Sequence, residues 1–130
     1  MSDRKVMIIM KDYHKIIQEF YNETDNLNAL LLIDIKGEVL ASSDSKDCNT
    51  DVAKSIISSF VNIVKSNLTI FETEGVKDFV IKGKDGIIIL YLINKNVVLV
   101  TQTNYNVELK MLIQKIKSVS SKIADLVERG

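Results

Sequence analysis

Three short stretches of this chain carry apolar residues in both alternation classes, and that pattern limits the folds open to it. They are Leu27 to Ile35, Ile87 to Ile93 and Val97 to Thr103. In the first, Leu27, Ala29, Leu31 and Ile33 fill one alternation class, while Leu30 and Leu32 fill the other. Successive side chains of a strand point to opposite faces, so strands filled in both classes must be covered on both sides and lie inside a sheet. Helices therefore have to pack on both faces of that sheet.

Two further stretches read as edge strands. Val39 and Ala41 alternate with Glu38, Leu40 and Ser42, which makes a short strand, only partly buried. Between Val76 and Gly83, the charged residues Lys77, Asp78 and Lys82 interleave with Phe79, Val80 and Ile81. The chain has no proline, so its turns rely on Gly, Asn, Asp and Lys. Asp34-Ile35-Lys36-Gly37 is a turn that joins the first two strands as a hairpin. Lys84-Asp85-Gly86 contains a hairpin dipeptide, and Asn94-Lys95-Asn96 turns between the last two strands. Strands three to five thus form an antiparallel meander. The order 2-1-5-4-3 puts the polar strands at the edges and the filled ones inside.

Three helices complete the pattern. Over 4–24, Val6, Met10, Tyr13, Ile17 and Phe20 form one stripe. Over 106–128, Leu109, Leu112, Ile116, Val119, Ile123 and Leu126 mark a single packing seam. The middle helix, about 51–67, starts where Thr50 or Asp51 can cap it. It differs from the other two because it is apolar over two adjacent faces. Val52, Ile56, Phe60 and Ile63 cover one, and Ala53, Ile57, Val61 and Val64 the other. Lys54, Ser55, Ser58, Ser59, Asn62 and Lys65 share a narrow polar strip. The element order α-β-β-α-β-β-β-α, undivided by linker or repeat, predicts one α/β (α+β) domain over 1–130. It has a five-stranded antiparallel sheet, the middle helix on one face and the first and last helices on the other.

Function has to be sought away from catalysis. Lys plus Arg total 17 and Asp plus Glu total 17, so the chain lacks the basic excess with which a nucleic-acid binder displaces counterions, and chain-wide electrostatic binding to DNA, RNA or anionic lipid is not expected. No stretch approaches the ~18 apolar residues of a membrane span, no signal-peptide layout opens the chain, and a cytoplasmic protein is expected. His14 is the only histidine and no second ligand or nucleophile stands at a matching spacing, so it reads as a helix-surface or boundary residue. Cys48 is the only cysteine; Asp47 and Asp51 nearby would raise its thiol pKa, the wrong direction for a reactive thiolate. Asp34 reads as a turn former rather than an acid. No catalytic, cofactor-binding or metal-ligating constellation is expected, and no enzyme activity. Lys110, Lys115, Lys117 and Lys122 give the last helix a basic side, read as a solvated face or as a dock for an acidic partner or membrane surface.

A helix on a sheet buries one stripe, so the second apolar face of the middle helix must meet something else, a partner or surrounding loops that include Leu68 to Glu74. The third strand is an edge with unpaired backbone groups. Together they predict a two-fold dimer through Ala53, Ile56, Ile57, Phe60, Val61 and Val64 on the middle helix and Val76, Asp78 and Val80 on the third strand.

Over about residues 8–126 the chain resembles the Roadblock / dynein light-chain family. The resemblance rests on the element order and on two motifs. One is Leu31-Leu32-Ile33-Asp34-Ile35-Lys36-Gly37-Glu38-Val39-Leu40-Ala41-Ser42, similar to the family's apolar strand, Asp-x-x-Gly turn and short second strand. The other is Val98-Leu99-Val100-Thr101 followed by Asn106-Val107-Glu108-Leu109, similar to its last strand and Asn-led helix. The chain departs from the family at Thr24-Asp25-Asn26 and Asn94-Lys95-Asn96, where members often carry Gly. The resemblance implies a homodimer or Roadblock-like heterodimer with a continuous sheet. It further implies a non-catalytic regulator or scaffold of a small Ras-like GTPase, or a structural light-chain-type subunit of a larger complex. A small-ligand sensor domain is a different class of reading, and would need a pocket between sheet and helices.

Overall fold

The computed structural model describes residues 3–34, 36, 38–43, 59, 62, 66, 77–94 and 96–129, with side chains from Lys11 to Leu126. The strands are β1 (Leu27–Asp34), β2 (Val39–Ser42), β3 (Asp78–Lys82), β4 (Ile87–Asn94) and β5 (Val97–Thr103). They form one antiparallel sheet in the order β2-β1-β5-β4-β3, as the distribution of apolar positions predicts. The first helix spans Asp3–Glu23 and the last Leu109–Arg129.

Both helices lie on one face of the sheet. Tyr13, Ile17 and Phe20 from the first and Leu112, Ile116, Val119 and Ile123 from the last pack with Leu30, Leu32, Ile89 and Leu99 in one cluster. Burying each of these large side chains stabilises the fold by about 1.5–3 kcal/mol. The opposite face carries a second cluster of Leu31, Ile33, Leu90, Val98 and Val100, with Phe79, Ile81, Ile88 and Leu92 packed against it. Two-sided burial of β1, β4 and β5 is therefore a property of the folded chain. Of the predicted middle helix, Ser59, Asn62 and Ser66 are described; all three are helical and exposed, and the Ser66 hydroxyl donates to the Asn62 carbonyl at 2.9 Å. Their spacing of three and four places them on one polar side, where the predicted strip puts Ser59 and Asn62.

Alternation misplaces one residue. The β1–β5 register runs Leu27 to Thr103 and then Ala29 to Gln102, so Asn28 is an extra residue in β1. A bulge of this kind shifts the face of every residue beyond it. Leu27 consequently packs with Leu30 and Leu32, not with Leu31 and Ile33 as the plain period of two predicts.

Local chemistry sets the turns. Asn26 takes φ 70°, a left-handed conformation that Asn tolerates better than most residues. Its carbonyl accepts from the Thr103 hydroxyl at 2.7 Å, and its amide donates to the Asn106 carbonyl at 3.1 Å. The Asp34 carboxylate accepts from the backbone N–H groups of Lys36 at 2.9 Å and Glu38 at 3.0 Å, which makes it the turn former expected. Asn94 does the same for the N–H of Asn96 at 2.7 Å.

The β3–β4 hairpin is shifted by one residue from the expected dipeptide. The Gly83 N–H donates to the Gly86 carbonyl at 2.8 Å, so the loop is Lys84–Asp85 and Gly86 already belongs to the ladder. Gly86 is required for another reason: a Cβ there would stand 2.6 Å from the Thr103 carbonyl oxygen. The last helix starts at Leu109, where its apolar seam begins and three residues after the expected 106. Asn104 accepts from the Asn106 N–H at 2.8 Å and folds residues 104–106 into a turn. Glu108 then caps the helix, its carboxylate accepting from the Met111 N–H at 2.8 Å.

Candidate interaction surface

β3 is an edge strand, and its hydrogen-bond phase is set at both ends. Besides the Gly83–Gly86 bond, the Leu92 N–H donates to the Lys77 carbonyl at 2.7 Å. Narrow pairs alternate along an antiparallel ladder, so residues 77, 79, 81 and 83 turn their backbone groups towards β4. Asp78, Val80 and Lys82 turn theirs towards the open edge. Among the described residues, β4 is the only strand paired with β3.

The side chains follow the same alternation. Phe79 and Ile81 pack against the second cluster. Val80 is 38% exposed, uncommon for a β-branched residue at the centre of a strand. Asp78 is half-buried opposite Tyr91, and Lys82 is exposed. Burial first, and the Asp78 charge second, push the Tyr91 hydroxyl above its ordinary pKa. Of the predicted interface, the structure thus brings Asp78 and Val80 to one edge. Ala53, Ile56, Ile57, Phe60, Val61, Val64 and Val76 lie outside the described residues. So does Cys48, while His14 is exposed on the first helix.

One contact had no signal in the sequence. The Tyr105 hydroxyl donates to the Gly83 carbonyl and ties the end of the β3–β4 hairpin to the connection before the last helix. Tyr105 sits in a polar linker at half exposure, where no periodicity points to a role. A shallow pocket of about 170 Å³ lies where the first helix ends and the last begins, lined by residues that include Glu23, Asp25, Asn26, Glu108, Met111 and Lys115. It is smaller than the roughly 300 Å³ at which small-molecule sites begin, so it gives the ligand-sensor reading no support. Among the described residues there is no group of three or more potential metal ligands, and no helix is long and apolar enough to cross a membrane.

The strand order and the Asp34 turn agree with the family that the sequence resembles. The Roadblock/LC7 domain model matches residues 14–103. The chain belongs to the Roadblock/LC7 family. Solved structures agree on the fold. MglB from Myxococcus xanthus superposes with a TM-score of 0.77 at 16% identity, over 92% of this chain and 90% of that one. The gliding protein MglB from Thermus thermophilus gives 0.77 at 17% identity, over 94% and 93%. A Roadblock/LC7 domain from Streptomyces avermitilis gives 0.71 at 8% identity, over 88% and 97%. No curated protein matches the sequence significantly. The last helix of this Roadblock/LC7 chain lies beyond the matched residues.

Proposed function

We propose that this chain is a non-catalytic, dimeric regulator or scaffold of a small Ras-like GTPase. The observation that carries the reading is the open β3 edge in a Roadblock/LC7 chain. That edge is self-complementary. An antiparallel pairing of two β3 strands centred on Val80 sets Val80 beside its counterpart and Asp78 opposite Lys82 of the second copy, at both ends of the contact. Opposite charges facing each other across strands contribute about 0.2–1 kcal/mol per pair. The same pairing uses the backbone groups of Asp78, Val80 and Lys82 that have no strand to meet. The second apolar face of the middle helix, with Ala53, Ile57, Val61 and Val64 or Ile56 and Phe60, would join the contact beside Val76. An MglB solved in a tetrameric arrangement supports self-association on this fold.

The non-catalytic part rests on composition. The chain holds one histidine and one cysteine, and its only arginines are Arg4 and Arg129. An arginine finger from the sheet and its loops is therefore excluded. Any stimulation of hydrolysis would come from ordering the GTPase's own residues. The test is GTP hydrolysis by a Ras-like GTPase of the source organism with and without the chain, beside a binding measurement. Binding with an unchanged rate leaves a scaffold; absence of binding to every such GTPase overturns the reading.

A further inference from the structure

We propose that the exposed face of the last helix docks on an anionic lipid surface. Net neutrality conceals a polarised chain. The last helix, Leu109–Arg129, holds five basic and two acidic residues, and between Leu109 and Ala124 it holds four lysines and no acid. Lys110, Lys115, Lys117 and Lys122 are all exposed, and among the described residues none is held in an ion pair.

Their placement on the helix matters more than their number. At 100° per residue, measured from the buried seam of Leu112, Ile116 and Ile123, Lys110 and Lys117 run along one flank. Lys115 and Lys122 run along the other, each pair about 10 Å apart. The outer ridge between the flanks is uncharged here, made of Gln114, Ser118 and Ser121. Two lysine rows on either side of a low neutral ridge reach a single plane together. The acids of this helix, Asp125 and Glu128, come at its far end. Glu108 is already engaged in capping the helix.

The chemistry of the face decides between partners. A protein interface is anchored by buried aromatic, aliphatic or Arg side chains and is depleted in Lys. Between Leu109 and Ala124 this face offers Met111 and four lysines, and no arginine. Long flexible lysines instead suit a diffuse negative plane, which they need not contact in fixed geometry. The apolar seam is spent on the core, so the helix lies on the lipid headgroups without inserting.

The dimer strengthens the case, and this part rests on the proposed function. Antiparallel β3 pairing has its two-fold axis normal to the sheet, so both last helices fall on the same face. The last helix packs on β4, next to β3. Four strands across the join separate the two helices by on the order of 14 Å. Eight lysines would then lie on one broad face.

The test is co-sedimentation with vesicles of phosphatidylcholine containing about one-third phosphatidylserine, at about 0.1 M salt, with mass by light scattering on the same sample. The full chain is expected to pellet with these vesicles and not with pure phosphatidylcholine. The combined variant Lys110→Glu, Lys115→Glu, Lys117→Glu and Lys122→Glu should lose binding by about tenfold or more. Replacing the same four by Arg should retain it, and circular dichroism checks that both variants fold. Equal pelleting on neutral vesicles, no pelleting, or binding indifferent to the charge reversal overturns the inference. Capture by polyglutamate without vesicle binding overturns it in favour of an acidic protein partner. A monomer that pellets through the four lysines removes the dimer and leaves the lipid surface standing; a dimer that does not pellet does the reverse.

Discussion

The two edges of the sheet start from similar sequences and end in different states. β2 and β3 both mix polar and apolar residues, and both read as edges. β2 is four residues long, and the first helix packs over it and β1. Its end is fastened by Ser43: the Leu30 N–H donates to the Ser43 hydroxyl at 2.9 Å, and the Ser43 N–H donates to the Leu30 carbonyl at 2.9 Å. β3 packs chiefly on β4, and Val80 at its centre remains exposed. An edge strand is a template for pairing unless it is short, charged or covered. β2 is short and covered, so the difference points association to β3.

The strongest way to break that contrast is Val80→Pro. Val80 directs its N–H outward, so proline there spares the β4 ladder while removing a donor from the open edge. The proposed dimer is expected to weaken by about 100-fold or more, and light scattering should give the monomer mass. The β2 counterpart, Ser42→Lys, should leave the mass unchanged. If both variants dimerise like the parent, the edges are not different in the way claimed.

Ser43→Ala acts on stability rather than association. It leaves the Leu30 N–H buried without its partner, a loss of about 1–3 kcal/mol in urea unfolding. The mass should not move, because the lesion lies at the closed edge. A shift towards monomer would mean that β2 takes part in the contact.

The smallest effect tests register. Asp78→Lys places like charges opposite each other across the proposed β3 pairing, and should weaken the dimer by about 0.4–2 kcal/mol over its two equivalent pairs. Adding Lys82→Asp restores opposite charges and should restore the affinity. A double variant as weak as the single one rules out pairing centred on Val80.

Much of this architecture is legible in the residues because it is set by local rules. Filled alternation classes place β1, β4 and β5 inside the sheet. Asp34 and Asn94 make their turns through side-chain bonds only two to four residues long. Two errors of register show where such rules stop. The Asn28 bulge that moves Leu27 to the helix face depends on β5 across the sheet. The shift of Gly86 out of the hairpin loop answers to the Thr103 carbonyl, which is distant in sequence. The start of the last helix at Leu109, where the apolar period also begins, has a local cause in Asn104 and Glu108.

The candidate surface divides along the same line. Interleaved charges mark β3 as an edge, but its outward set, Asp78, Val80 and Lys82, follows from bonds at Gly83 and Lys77 that only pairing with β4 creates. A composition of 17 basic and 17 acidic residues says nothing of where the charge lies. By itself, the sequence determined the strand order and the turn formers, since each is written in spacing and short-range hydrogen bonding, while the family rested on resemblance. The tertiary structure alone decided which backbone groups of β3 turn outward and which face of the sheet Leu27 joins. Both depend on what packs against an element, and packing is settled by residues far away along the chain.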